Sequence, residues 1–335
     1  MAAAAGVAPM TVSRYLNQHP NVTDKTARKV AGAIKQLGYT PNVAARILMG
    51  QPSNTIGLIV PTLADAFFSE IAHHVQAVAR ERGKLVWVAS TDSDSSIEAS
   101  VLEQMKQHHV DGILLVPVAG RHKAPGSSGR IPIVALDRPL EDEDESDAIL
   151  VDNRGGAARM VEHLIGHGYK RILCLSADPP STYTIGERIA GYQDAMRKHR
   201  LKIAVRSSLS TREELGVQVR AAMKSATPPQ AMFATNNITT IHLLETLFED
   251  GRILPRDIAV GGFDDFGLAS YMRPGVTVVR QPAAELGQQA ARLLLDRLVA
   301  KDTRVSGLTT VLPTTLVIRG SCGCTPGKEA ADPVR

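Results

Sequence analysis

The sequence predicts a small all-α headpiece followed by an α/β body built on doubly wound parallel sheets. Three observations carry this. From Ile56 onward, short apolar runs alternate with helical stretches at the spacing of βαβ units. Apolar residues make up 44% of the chain and aromatic ones only 4%, so the cores are built from Ala, Val, Leu and Ile. Such cores suit parallel strands covered by helices better than a β-sandwich. Charge, finally, is segregated. Up to Gly50 there are six basic residues (Arg14, Lys25, Arg28, Lys29, Lys35, Arg46) against one acid, Asp24, a net +5; with +4 in total, the rest carries −1. A basic module on a near-neutral body is the footprint of a phosphate-backbone binder, although a solvated helical face has the same charge pattern.

At 335 residues the chain calls for two or three domains. No apolar run reaches the length of a membrane span. Met1-Ala2-Ala3-Ala4-Ala5-Gly6 lacks the basic region and apolar stretch of a signal peptide. Cys174, Cys322 and Cys324 provide no disulfide framework, and a single Cys-x-Cys near a polar tail is a poor metal site. These features predict a soluble cytoplasmic protein. No Gly-rich phosphate loop and no Ser or Cys nucleophile motif occurs, so neither an enzyme nor a cofactor is expected.

In the headpiece, Pro9 to Asn17 reads as a short helix with proline in its first turn, and Gly6-Val7-Ala8 before it as the tight turn of a helix-turn-helix. Thr23 can cap the next helix, whose Ala27, Val30, Ala31, Ile34 and Leu37 form one apolar stripe. Gly38 closes that helix and Pro41 follows. Lys25, Arg28, Lys29 and Lys35 lie off the stripe, available to phosphates.

Ala5-Gly6-Val7, Thr11-Val12-Ser13-Arg14, the spaced helix, Leu37-Gly38-Tyr39-x-Pro41-Asn42 and Ala44-Ala45-Arg46-x-Leu48 occur in this order. Together they resemble the DNA-binding headpiece of the lac/galactose repressor family. The resemblance implies a recognition helix starting at Pro9, with Pro9, Met10 and Arg14 at base edges in the major groove. Arg14 can grip guanine through two hydrogen bonds, whereas Met10 offers only apolar contact. Thr11 and Ser13 would hold phosphates, and Asn17, Lys25 and Arg28 complete the DNA-facing set of the headpiece (residues 1–40). Val12 and Leu16 are expected in its core. Residues 41–49 resemble the family's hinge helix, while 41–53 also reads as a flexible linker; both hold if the segment is disordered when free and helical when paired on an operator. There Leu48 would wedge into the minor groove, with Ala45 and Arg46 beside it. The first helix of the family begins several residues earlier than Met1, which suggests a start further upstream.

The body is expected to run from 54 to 321. Strands are predicted at 56–60, 85–89, 112–116, 133–136, 172–175, 231–234, 258–262 and 312–318. Helices are predicted at 67–82, 97–108, 155–167, 186–199, 215–224, 238–250 and 284–300. This run resembles the family's effector domain, two subdomains of the periplasmic-binding-protein type: an N-subdomain of about 54–151 plus 283–310 and a C-subdomain of about 152–280 plus 313–321. Crossings are expected near Val151-Asp152-Asn153, Arg280-Gln281-Pro282 and Thr310 to Pro313. Residues 322–335 read as a disordered tail.

Ligands of open α/β sheets sit beyond the carboxyl ends of strands. That rule and the matching blocks select Asp137, Arg138, Arg188, Asn236, Asp264 and Gln281, with Phe67 or Phe68 stacking on a ring face or packing in the core. Carboxylates and amides with an arginine suit neighbouring hydroxyls, and Arg188 would also suit the carboxylate of an acidic sugar. Asn236-Asn237 stands where the family has Asn-Asp, and position 237 is expected to cap or anchor the helix that follows.

His163-x-x-x-His167 has the spacing of two metal ligands but reads as a helix end, and no metal is expected. His73-His74 and His108-His109 read as surface. The acidic run Glu141 to Glu145 with Asp147 reads as a solvated loop. The function expected is a dimeric transcription regulator, most simply a repressor, reading a pseudo-palindromic DNA operator under control of a sugar or sugar acid. The alternative is a solute-sensing protein of the same fold whose headpiece no longer binds DNA.

Overall fold

The computed structural model describes residues 1–16, 21–38, 51–118, 131–140, 146–300 and 307–325. They divide into two units, Met1–Ser53 and Asn54–Arg335.

The first unit holds α1 (Ala2–Ala5), α2 (Pro9–Leu16) and α3 (Asp24–Leu37). Gly6 ends α1 in the left-handed conformation at φ 61°, where glycine bears no Cβ penalty, and its N–H returns to Ala3 O. The Thr23 hydroxyl accepts the Thr26 N–H to cap α3, and Gly38 closes that helix at φ 56°. Ala5, Val12, Val30 and Ala33 make the core, with Leu16 and Ile34 packed against it. One expectation is corrected. Ala31 and Leu37 are exposed and Ala33 is buried instead, because the contact of α3 with the two shorter helices follows its 30–33–34 edge.

In the second unit, β1 (Thr55–Val60), β2 (Leu85–Ser90), β3 (Gly112–Leu115), β4 (Ile133–Leu136), β5 (Asp147–Val151) and β11 (Thr309–Leu312) form one sheet, in the order β11-β5-β4-β3-β1-β2. A second sheet has the order β12-β10-β9-β8-β6-β7. Its strands are β6 (Ile172–Leu175), β7 (Val205–Arg206), β8 (Ala231–Ala234), β9 (Ala259–Phe263), β10 (Thr277–Arg280) and β12 (Thr315–Val317). Strands one to five of each half are wired identically and run parallel. The sixth differs: β11 is parallel to β5, whereas β12 is antiparallel to β10.

The strands β1, β3, β6, β8 and β9 are nearly continuous buried apolar runs, as strands covered on both faces must be. In the first half α4 (Ala66–Glu81), α5 (Ser95–Gln107) and α10 (Ala283–Ala300) cover the sheet. Ile71 and Val75 of α4 share one core with Leu286, Ala290 and Leu294 of α10. A fully buried side chain of this size contributes roughly 1.5–3 kcal/mol. In the second half lie α6 (Asn153–Gly166), α7 (Tyr183–Lys198), α8 (Arg212–Met223) and α9 (Asn237–Glu249). Helices α6 and α7 touch backbone to side, since a Cβ at Gly191 would run into the carbonyl oxygen of Arg154.

The predicted strand 312–318 is two strands in different sheets. Pro313 has no N–H to offer a ladder, and the chain crosses between halves there. The strands β5, β7 and β10 lie outside the predicted strands: β7 is only two residues long, whereas β5 and β10 match the predicted strands in length. The disordered tail expected from 322 is also corrected at its start: Cys322 is buried in the second-half core, and Cys324 packs against it.

Candidate functional site

In the headpiece, Pro9, Met10 and Arg14 lie exposed along α2, and Met10 is 65% accessible. An apolar side chain held in solvent on a helix of only eight residues is a cost to the isolated module unless it meets something else. Thr11 and Ser13 are half-buried beside them, and Val12 points into the core. Lys25 and Arg28 are exposed in the first turns of α3, where the Arg28 Nε donates to Asp24 O at 3.4 Å. Asn17, Ala45, Arg46 and Leu48, with the whole hinge segment 41–49, lie outside the described residues.

In the body, all eight side chains selected from the sequence line one cleft of about 460 Å³, and Asp65, Asp178 and Ile238 line it with them. The cleft opens where the carboxyl ends of both sheets meet. Asp137 follows β4 and Asp264 follows β9, and both adopt left-handed φ, 63° and 69°. Asp is among the few residues that tolerate that region. The two backbones are tied alike: Asp137 N–H donates to Ile149 O, and Asp264 N–H to Val279 O.

Arg188, 3% exposed on α7, organises the second wall. Its Nε donates to Asn153 Oδ1 at 2.8 Å, and one terminal nitrogen donates to Thr235 O at 2.8 Å and to Asp264 Oδ2 at 3.1 Å. The guanidinium stacks 3.8 Å from the Phe263 ring centre. Asp264 Oδ1 accepts from Gln281 Nε2 at 2.5 Å. On the first wall, Arg138 donates to Pro117 O and Val118 O and stands 3.7 Å from Asp137 Oδ2. Burial pushes the Asp137 carboxyl up, against the pull of Arg138 and Arg188. Burial likewise raises Asp264, against Arg188 and Gln281. Among the described residues, Asp137 Oδ1, Arg138 Nε and Gln281 Oε1 are buried with no hydrogen-bond partner. A buried polar atom without a partner costs roughly 1–3 kcal/mol, which a hydroxyl-bearing ligand can recover.

The aromatic pair divides its work. Phe67 and Phe68 meet edge to face at 5.1 Å; Phe68 belongs to the buried core and Phe67 is only packed against it. The capping expectation for position 237 is corrected. The cap of α9 is Asn236, whose Oδ1 accepts the Thr239 N–H and whose Nδ2 donates to Asp178 Oδ2 at 2.7 Å. Asn237 Nδ2 instead donates across the cleft to Asp65 Oδ1 at 3.0 Å. Asp65 is itself the cap of α4, accepting the Phe67 N–H. Sequence reasoning missed Asp65 and Asp178. The first carries a visible signal, an Asp before a helical run, but only for its capping role.

A second cluster lies away from the cleft. The side chains of His163 and His167 meet those of Cys322 and Cys324, although nothing in the separate motifs linked them.

Comparison with known proteins agrees with the two-unit organisation. Residues 1–42 match the bacterial regulatory proteins of the lacI family, and residues 161–322 match a periplasmic binding protein-like domain. The chain is 31% identical over 332 residues to the HTH-type transcriptional regulator DegA of Bacillus subtilis, covering 96% of each. It is 31% identical over 300 residues to the ribose operon repressor of Escherichia coli K12, covering 88% of this chain and 90% of that one. Among solved structures, the lac repressor dimer bound to operator and the anti-inducer ONPF superposes with a TM-score of 0.82 at 26% identity, over 96% of this chain and 97% of that one. With the headpiece helices, the twin sheets and the cleft residues in place, the chain belongs to the lacI family of bacterial regulatory proteins and is a DNA-binding transcription regulator.

Proposed function

We propose that the protein represses transcription as a dimer, reading a pseudo-palindromic operator with two copies of α2, and that a neutral sugar in the body's cleft controls its affinity. The observation that carries the effector reading is the cleft's polar inventory. Asp65, Asp137, Asp178 and Asp264 outnumber Arg138 and Arg188. Arg188 is already engaged with three oxygens, and Arg138 gives one terminal nitrogen to two carbonyls and keeps its Nε unmet among the described residues. A sugar acid would add a further negative charge among four carboxyls, whereas neighbouring hydroxyls can both donate to Asp137 and accept from Arg138. Phe67 gives an apolar face for the ring. The relative named for the ribose operon favours the same class.

Control follows from linkage. A sugar that bridges the two walls favours one setting of the cleft, and it shifts operator affinity only by its differential affinity for the two settings. The dimer, the role of each DNA-facing residue and the absence of catalysis belong to this proposal. A thermal-shift screen of neutral sugars against their uronic and aldonic acids tests the effector class; stabilisation by the acids alone overturns it. A gel shift on the protein's own promoter at two salt concentrations separates repressor from solute sensor. There, Arg14→Ala is expected to cost about 1–3 kcal/mol on the operator and little on random DNA, and an equal loss on both reduces Arg14 to a phosphate contact.

A further inference from the structure

Four metal-ligating atoms converge where α6 ends. His163 and His167 sit one turn apart on one face of that helix end, and their rings lie edge to face with centres 4.9 Å apart. Cys322 and Cys324 come from the segment after β12, more than 150 residues later in the chain. His163 Nε2 is 3.2 Å from Cys322 Sγ and 3.7 Å from Cys324 Sγ, and His167 Nε2 is 3.2 Å from Cys324 Sγ. All four atoms lie within 4.8 Å of one another. A tetrahedral zinc with two sulfur and two nitrogen ligands has ligand–ligand edges of about 3.3–3.8 Å, from its bond lengths of roughly 2.3 and 2.0–2.1 Å. The three nitrogen–sulfur distances, 3.2, 3.2 and 3.7 Å, lie near the edges of such a tetrahedron, and no separation exceeds 4.8 Å, a difference that rotation of the less buried His167 and Cys324 side chains can close.

We propose that His163, His167, Cys322 and Cys324 form a structural zinc site. The surroundings are those of a ligand set. Gly323, between the two cysteines, has φ 104°, which turns both sulfurs to the same side, and a Cβ there would press on the Tyr169 hydroxyl. The Thr277 hydroxyl donates to Cys322 Sγ at 3.1 Å and is itself held by the Arg319 N–H at 2.9 Å, an outer-shell arrangement that suits a thiolate. Two neutral imidazoles and two thiolates match the borderline-soft preference of zinc and leave no coordination position open, so the site ties chain segments and performs no hydrolysis. The tie joins residues 322–324 to α6, on the second half of the body. It is independent of the operator and sugar readings, and its failure leaves both untouched.

The test uses the full chain, reduced and stripped with a chelator, then loaded with zinc or cobalt alone. One metal ion per chain is expected. Cobalt is expected to show the intense visible bands of a tetrahedral ion with a sulfur charge-transfer band, and zinc to raise the melting temperature by several degrees. Cys324→Ser and His167→Gln alter the two less buried ligands and leave Cys322 in the core; each is expected to lower zinc affinity more than about 100-fold, beyond the cost of losing an outer-shell group, with the metal-free melting temperature unchanged. Substoichiometric binding by the wild-type chain, an octahedral cobalt spectrum, a Cys322–Cys324 disulfide that forms in place of metal binding, or wild-type zinc affinity in either variant overturns the proposal.

Discussion

The two halves of the body place an aspartate at the same point, after the third strand from one edge of each sheet, with the same left-handed backbone. Their surroundings differ. Asp264 is bonded at both oxygens, by Arg188 and by Gln281. Asp137 faces Arg138 at 3.7 Å and keeps one oxygen without a partner among the described residues. The second wall therefore holds its aspartate as part of the fold, although Gln281 Oε1 beside it is unmet among the same residues, and the first leaves its aspartate for something to complete. Preorganised donors on one side with unmet groups on the other is how a site holds its shape and still gains on binding.

The largest effect expected from this contrast is on stability. Arg188→Ala leaves the Asp264 carboxylate buried without its cation and removes the stacking on Phe263, at a cost of about 3–5 kcal/mol in denaturant unfolding. A loss below about 1 kcal/mol would mean that the second wall is not the structural one. Asp137→Asn, which tolerates the same left-handed backbone, is expected to do the reverse. Stability changes little, and affinity for a sugar identified by thermal shift falls by about 2 kcal/mol, roughly 30-fold, measured by calorimetry. A sugar that binds this variant as well as wild type breaks the assignment of the first wall. Smaller still is Asn237→Ala, which cuts the bond from α9 to Asp65 across the cleft. About 1 kcal/mol of effector affinity is at stake, with unfolding stability affected less than in Arg188→Ala.

The smallest effect concerns pH. Because burial raises Asp137 in the folded protein, the group contributes most to stability at pH below the ordinary carboxylate value, and that contribution is lost as pH rises through its raised folded value. Asp137→Asn removes this dependence. The stability of the variant relative to wild type is therefore expected to increase from acid to neutral pH; a flat difference across that range means the carboxyl is not raised by its burial.

Much of this was legible beforehand because it is written locally. The cap at Thr23, the glycine at 38, the apolar runs of the buried strands and the Thr-Val-Ser-Arg block are short-range patterns, and each formed the element expected. Strand-end position selected Asp137, Arg138, Asn236 and Asp264, since the rule linking ligands to carboxyl ends needs only element order, and the resemblance to the family added Arg188, Gln281, Phe67 and Phe68. Two readings went astray for the same reason. Asn237 was assigned to its own helix, and its partner Asp65 lies 172 residues away. His163 and His167 were read as a helix end, and Cys322 and Cys324 as part of a tail, each pair alone being too weak to claim a metal.

By itself, then, the sequence determined the βα alternation, the segregated basic headpiece and the residues that end the strands it predicted. Hydrogen-bond caps and side-chain periodicity act within a few residues, so they are readable without the fold. The tertiary structure alone decided which strand-end aspartate is satisfied and which is not, that the last predicted strand divides between two sheets at Pro313, and that a histidine pair and a cysteine pair share one point. Those outcomes depend on contacts between segments far apart in the chain, 76 residues for Arg188 with Asp264 and 159 for His163 with Cys322, and no local pattern records where two such segments will meet.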